Sequence, residues 1–373
     1  MKLSTADLAL FFDAPHQTLA DELTRLAPEV EAAARAGDAA VARAMGKLGL
    51  YRRLVPPVDV RALVLVREML GYVSPLADAI FAVQGLGTYP LLSAGSDAHR
   101  ALAEPLARGE LIAGFALTEP EAGSDAGSLT TRADRDGDGW ILDGAKTLIS
   151  NAGVATHYLV FATVDPTAGK KGITAFWVPA SSPGLTVTRV PLGVDHPIGD
   201  LRFERCRVGA DAVVGEPGAG FALAMSTLDT FRVTVGAAAV GMARRALDAA
   251  RAHVTTRVQF GAPLSNTQLV QAHLADMLCD LDAARLLVLR AAHAADRGAP
   301  VTVPAAQAKL FATEAAQRVI DTAVQLLGGR GVRQGEVVEA LYRAVRPLRI
   351  YEGTSEIQRL IIGRAIARGR EAG

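Results

Sequence analysis

The spacing of apolar positions changes twice along this chain. Over residues 1 to about 111, Ala- and Leu-rich segments carry apolar stripes at helical intervals. Asp21-Glu-Leu-Thr-Arg-Leu-Ala-Pro and Val60-Arg-Ala-Leu-Val-Leu-Val-Arg-Glu-Met-Leu are the clearest, and strand formers are few. From about 112 to 215 the runs shorten. Trp140-Ile-Leu-Asp-Gly, Tyr158-Leu-Val-Phe-Ala-Thr-Val, Gly172-Ile-Thr-Ala-Phe-Trp-Val, Leu185-Thr-Val-Thr-Arg-Val and Leu201-Arg-Phe-Glu-Arg-Cys-Arg-Val are β-branched or aromatic, with turn residues between them. Leu201, Phe203 and Val208 alternate in part with Arg202, Glu204 and Arg205. Several short strands so spaced predict a small sandwich or barrel. From about 216 to 373 the helical interval returns. Leu274, Met277, Leu278, Leu281, Ala284 and Val288 form one stripe, and Ala308, Ala312, Ala315, Val319, Ala323 and Leu326 another. Short Gly/Pro connections between such helices predict a bundle. The fold class is α+β, mostly α, in three parts: an N-terminal helical domain (1–111), a middle β domain (112–215) and a C-terminal helical bundle (216–373).

Composition removes several classes of function. Lys plus Arg is 39 and Asp plus Glu is 39, so a neutral chain offers no bulk attraction for nucleic acid or an anionic membrane. The two cysteines, Cys206 and Cys279, exclude a disulfide scaffold and a CxxC metal site; both are expected as buried small hydrophobes. The 7 histidines form no HxxxH or HExxH pair, so no protein-built metal site is expected. No GxSxG elbow signals a hydrolase. Asp134-Arg-Asp-Gly-Asp-Gly starts like a calcium loop, but its twelfth position is Ala145, where an EF-hand needs an acid; a hairpin turn built on Asp-Gly is the expectation. Gly85-Leu-Gly-Thr-Tyr-Pro lacks the third glycine of a dinucleotide fingerprint. No uncharged apolar run reaches the ~18–20 residues of a membrane span, and the first residues lack a basic leader with a cleavage site. The chain reads as soluble and cytoplasmic, without membrane insertion.

Four segments remain. Phe115-Ala-Leu-Thr-Glu-Pro-Glu-Ala-Gly-Ser-Asp has turn chemistry, two hydroxyls, and a glycine that lets another group approach the backbone. Ile350-Tyr-Glu-Gly-Thr-Ser-Glu-Ile-Gln-Arg places Glu352 just before a helix that Thr354-Ser355 can cap. Arg257-Val-Gln-Phe-Gly-Ala-Pro-Leu-Ser-Asn-Thr-Gln lies between two helices, with an arginine suited to a diphosphate. Gln325-Leu-Leu-Gly-Gly-Arg-Gly offers glycines for close approach. Each alone reads equally as a surface turn or a helix stop.

In order and spacing, these four segments together resemble the acyl-CoA dehydrogenase family, over about residues 80 to 368. The resemblance implies a C-terminal four-helix bundle, FAD as cofactor and an acyl-CoA, or an acyl thioester on a carrier protein, as substrate. It places Phe115, Leu117, Thr118 and Ser124 along the flavin, with Ser124 also near the thioester, and Leu148, Ile149 and Ser150 as the next flavin contact. Arg257, Gln259, Phe260, Leu264, Gln268, Gln325 and Gly329 resemble positions that hold the diphosphate and adenine end from a neighbouring subunit. Thr354 and Glu356 fall on further FAD contacts, and Asp229, Arg232, Tyr351 and Gly353 on substrate contacts.

Glu352 matches the family's base. A minority branch places its base on an earlier helix, where this chain has Phe231, which cannot take a proton. The implied reaction is α,β-dehydrogenation to a trans-2-enoyl thioester: Glu352 removes the α-proton, and the flavin takes the β-hydride at N5. A homotetramer built as a dimer of dimers and an electron-transfer flavoprotein as electron acceptor complete the expectation. Three departures stand out: Leu148 replaces the usual tryptophan, the stretch at Val55-Pro-Pro-Val is shortened, and Tyr342-Arg343-Ala344 replaces Tyr-Arg-Asp. Acyl-chain length is therefore not carried over. The alternatives within the fold are an oxidase passing electrons to oxygen and a non-catalytic DNA-binding member.

Overall fold

The structure is a computed structural model that describes residue 3 and residues 5–369. Six helices come first among the described residues: α1 (Ala14–Arg35), α2 (Asp38–Lys47), α3 (Val60–Val73), α4 (Pro75–Ala94), α5 (Asp97–Arg100) and α6 (Ala103–Ala107). Strands β1 (Ala113–Ala116), β2 (Arg132–Asp136), β3 (Gly139–Ser150), β4 (His157–Thr163), β5 (Ile173–Pro179), β6 (Leu185–Arg189), β7 (Ile198–Val208) and β8 (Val213–Val214) follow. The chain then returns to helix with α7 (Gly220–Thr256). A short hairpin, β9 (Val258–Gln259) and β10 (Ala262–Pro263), leads into α8 (Gln268–Asp296), α9 (Thr302–Leu327), α10 (Val337–Val345) and α11 (Ser355–Ile366). This helix–sheet–helix order matches the sequence expectation. By contact, the chain gathers into two compact units that interleave along the sequence: residues 1–31, 59–78 and 232–373 in one, 32–58 and 79–231 in the other.

The second unit holds the sheet. Its strand order is β6-β7-β3-β2-β4-β5-β8, with β1 pairing parallel to β4. Apolar cores lie on both faces of β4: Tyr158, Val160 and Ala162 pack into one, Leu159 and Phe161 into the other. A strand buried on both sides must be apolar throughout, which is why Tyr158–Val164 shows no alternation. The broken alternation of β7 also has a cause. Arg205 (φ 48°) sits in a bulge where the register of β3 shifts between Leu142 and Gly144, and its N–H donates to Asp143 Oδ1 at 2.7 Å. The Asp-Gly run is a hairpin, with Asp136 paired to Gly139 across a turn at Gly137 (φ 62°).

In the first unit α9 is central, with α8, α10 and α11 packed on it. Ala308, Ala312, Ala315, Val319 and Ala323 are buried along its predicted stripe. Small residues also let backbones approach closely: a Cβ on Gly71 of α3 would lie 2.3 Å from the Ala238 carbonyl oxygen of α7. Pro28 lies inside α1, which continues to Arg35. One expectation is corrected. Cys206 is buried, but Cys279 is exposed, next to exposed Leu278 on α8. No helix among the described residues is long and apolar enough to cross a membrane, and none of their His, Cys, Asp and Glu side chains group as a metal site.

Candidate active site

The Glu352 loop is set by α11. Thr354 caps that helix, its hydroxyl accepting from the Ile357 N–H at 3.2 Å, and Ser355 Oγ donates to Glu314 on α9 at 2.6 Å. The cap fixes where the helix begins, at Ser355, and so fixes the turn before it. Glu352 lies at φ 52° and Gly353 at φ 91°. Glycine accepts the left-handed region freely, whereas a glutamate there costs of order 1–3 kcal/mol and persists only where its surroundings impose it.

Side chains around the loop do impose it. Arg232 Nε donates to the Glu352 carbonyl at 3.3 Å. Lys309 Nζ donates to the Gly353 carbonyl at 2.7 Å, and Gln358 Nε2 donates to the same oxygen at 2.9 Å. The carboxylate itself is treated differently: Glu352 Oε2 is buried with no hydrogen-bond partner among the described residues. Burial raises the Glu352 pKa, while Arg67, Arg232 and Lys309 pull the other way. Arg67 is held by Asp78 through two bonds of 2.8 Å and by the Thr234 hydroxyl at 2.9 Å, all in the interior. Burial pushes the Tyr351 hydroxyl above its ordinary range, so it stays protonated. The result is an acid with one unsolvated lone-pair face, ringed by fixed cations, on a strained turn. Such a group is suited to taking a proton from carbon.

The second unit brings two of the predicted segments together. Past the end of β1, the Thr118 carbonyl accepts from the Thr147 N–H of β3 at 3.0 Å, and Lys146 Nζ donates to the Leu117 carbonyl at 3.2 Å. Glu119 binds Lys146 Nζ at 2.7 Å and accepts from the Thr130 and Thr131 N–H groups at 2.6 and 3.0 Å, locking the loop. Leu148 is turned outward at φ 53° and is 52 % exposed; its N–H donates to Asp200. Ser150 Oγ pairs with His196 Nε2 at 2.7 Å, and burial draws that imidazole down to about 4, leaving it neutral. Phe115 packs on Phe161, Ile149 is buried, and Ser124 lies exposed on the loop. Leu148 thus presents apolar surface beside the main-chain link between Thr118 and Thr147.

Most of the other predicted residues lie at the surface. Arg257, Gln259, Phe260, Gln268, Gln325 and Gly329 are exposed, and Leu264 is half-buried. Phe260 (φ 53°) and Gly261 (φ 80°) make a two-residue hairpin turn that leaves the Phe260 ring wholly open. Glu356 is exposed and Asp229 half-buried. Arg232 is buried against the Glu352 carbonyl rather than standing open. Phe231 is buried and edge-on to Tyr89. Sequence reading missed Arg67, Asp78, Lys309, Gln358, Glu119 and Lys146. A charged residue inside an apolar run was the one available signal for Arg67.

A strained turn whose carboxylate keeps one oxygen sealed and unpartnered fits a dehydrogenase of activated acyl groups. The acyl-CoA dehydrogenase middle domain matches residues 114–206, and the C-terminal domain of the same family matches residues 218–367. A probable acyl-CoA dehydrogenase of Mycobacterium tuberculosis is 45% identical over 315 residues, covering 83% of this chain and 81% of the relative. Human mitochondrial short-chain specific acyl-CoA dehydrogenase is 42% identical over 335 residues, covering 87% and 81%. Butyryl-CoA dehydrogenase from Megasphaera elsdenii superposes with a TM-score of 0.90 at 32% identity, covering 96% of this chain and 99% of that one. A glutaryl-CoA dehydrogenase from Mycobacterium smegmatis in complex with FADH2 gives 0.89 at 26%, covering 97% of each. This chain belongs to the acyl-CoA dehydrogenase family.

Proposed function

We propose that this protein oxidises an acyl-CoA to its trans-2-enoyl thioester with FAD as cofactor, and that Glu352 is the base. The observation that carries the reading is the Glu352 carboxylate: one oxygen sealed from water and unpartnered, on a strained turn that surrounding side chains hold in place. Desolvation makes Glu352 a stronger base than a carboxylate in water, and Arg67, Arg232 and Lys309 keep its ionised form accessible. FAD, when bound, accepts the β-hydride. Main-chain N–H groups of the turn, fixed by the bonds to its carbonyls, are the donors for the thioester oxygen as negative charge develops there. Phe115, Leu117, Thr118, Ser124 and Leu148–Ser150 would line the flavin. The exposed set at Arg257, Gln259, Phe260, Leu264, Gln268, Gln325 and Gly329, with Thr354 and Glu356, would take the diphosphate and adenine end. Asp229, Arg232, Tyr351 and Gly353 would border the substrate.

The same reading divides the chain into domains at 1–111, 112–215 and 216–373. Exposed Phe260, Leu269, Leu278 and Val332 on the C-terminal helices and their connections support a homotetramer, in which a neighbouring copy covers them; sedimentation of the purified protein tests this. An electron-transfer flavoprotein as acceptor and a cytoplasmic location belong to the same proposal.

The test is Glu352→Gln. Glutamine keeps shape and main chain but cannot take the proton. The variant should bind FAD and acyl-CoA, yet reduce flavin about 10²–10⁴-fold more slowly under anaerobic conditions. It should also fail to exchange the substrate's α-hydrogen with deuterated water. Flavin reduction within about tenfold of the parent would remove Glu352 from the role.

A further inference from the structure

Both carbonyls of the strained turn are bonded, and the group that closes the second has no part in the proton transfer itself. Lys309 is wholly buried on α9. Lysine is among the residues least often found fully buried, and when it is, a carboxylate normally accompanies it. Here no carboxylate lies within ion-pairing distance of Nζ among the described residues. Glu314, on the same helix, is held by Ser355 at 2.6 Å and by Arg349 at 2.8 Å. The Lys309 ammonium is directed instead at a peptide oxygen, the Gly353 carbonyl at 2.7 Å, with Gln358 Nε2 on the same atom. Removing a charge from water costs several kcal/mol, so a neutral donor would hold that carbonyl at less expense. The charge therefore needs a reason of its own.

We propose that Lys309 is a positioning residue for the base. Its ammonium group clamps the Gly353 carbonyl, holds the left-handed Glu352–Gly353 turn, and supplies part of the positive field in which Glu352 ionises. The inference rests on Glu352 being the base.

The charged and titratable groups facing Glu352 are Arg67 of α3, Asp78 of α4, Arg232 of α7, Lys309 of α9 and Tyr351 in the loop; those facing Lys309 are Glu352, Arg232, Glu314 of α9 and Glu356 of α11. Arg67 is held by Asp78 and Thr234. Arg232 is a permanent cation on the preceding carbonyl. Lys309 is the remaining cation bonded to the loop main chain. Burial draws it down to about 8, against the opposing pull of Glu352, so it is still mostly protonated at neutral pH.

The experiment uses FAD-loaded Lys309→Met and Lys309→Gln, with Glu352→Gln alongside, and butyryl-CoA as probe. Single-turnover flavin reduction is followed anaerobically across pH. Loss of a nearby cation disfavours the carboxylate. In Lys309→Met the acid limb should therefore move up by about one pH unit, and the rate at neutral pH should fall about tenfold. Lys309→Gln restores a donor to Gly353 without charge. It should regain most of the rate while its limb stays shifted, a split that a purely structural lysine would not produce. A parent-like limb and rate in Lys309→Met overturns the proposal. So does an unshifted limb in Lys309→Gln, which carries the test alone if the Met variant does not fold. A fast Glu352→Gln enzyme instead overturns the assignment of the base, and the two failures are read from different proteins.

Discussion

Lys146→Met would remove a wholly buried cation from β3 and leave Glu119, 4 % exposed, without its partner. In the parent, burial pushes the Glu119 carboxyl up, but Lys146 more than reverses this, and Thr131 and Thr130 add to the reversal. The net value is about 2, against an ordinary 4.5. That gap corresponds to about 3 kcal/mol of stability. Its sign follows from the depressed value: the contribution is complete above pH 4.5 and is lost as pH falls towards 2. Lys146, drawn down by burial to about 8, carries a cost where Glu119 shows a gain. Both values still leave the pair charged at pH 7, as the 2.7 Å bond requires. Breaking a buried pair from one side costs about 3–5 kcal/mol, because the survivor is stranded. At about 2–4 °C per kcal/mol, the thermal midpoint should fall by ~6 °C or more, and the acid-induced loss of stability between pH 4.5 and 2 should shrink. Because Lys146 also bonds the Leu117 carbonyl, FAD should dissociate faster. Calorimetry at several pH values checks the first two effects, and flavin fluorescence the third. The double variant Lys146→Met/Glu119→Gln should recover at least half of the lost stability. A single variant melting within about 2 °C of the parent, less than the loss of one kcal/mol, would refute the reasoning.

Arg67→Met should strand Asp78, which is buried, and cost about 3–5 kcal/mol in denaturant titration. Because Arg67 is the cation that most opposes the burial of Glu352, the acid limb of flavin reduction should also move to higher pH. Gly71→Ala would drive a methyl into the Ala238 carbonyl, 2.3 Å from the new Cβ, and parting the two helices should cost about 1–3 kcal/mol. A melting curve on the purified variant reads this, and an unchanged midpoint would show that α3 and α7 can part without penalty.

How much of this was legible in the chain depends on the range of the interaction. The α9 stripe from Ala308 to Ala323 was readable because a helix face needs only local periodicity, and all of it is buried. The same logic read α3 as one-sided, whereas almost the whole helix is interior, including Arg67 and Glu68. Their partners are Asp78, Thr234, Arg244 and Arg285, and residues up to 217 positions away leave no periodic trace. Leu278 was counted into a core stripe and is exposed, since apolar periodicity alone does not say which apolar residues of a helix are covered. The strand Arg132–Asp136 was invisible as a strand because four of its five residues are charged, with Ala133 alone facing the core. The Glu352 loop could be read from its motif. Lys309 could not, because a lysine in an Ala-rich helix ordinarily marks the wet side.

The conformation of Glu352 has a consequence for how this protein can be improved. At φ 52° the backbone favours glycine and tolerates asparagine, so the glutamate is a local liability to the fold. Glu352→Gly should relieve that strain and take an ionisable group out of the interior at the same time. A library sorted for heat tolerance alone would therefore drift towards losing Glu352, the proposed base. Any stabilisation campaign on this chain has to screen for turnover in the same round, or its most durable winners will be inert.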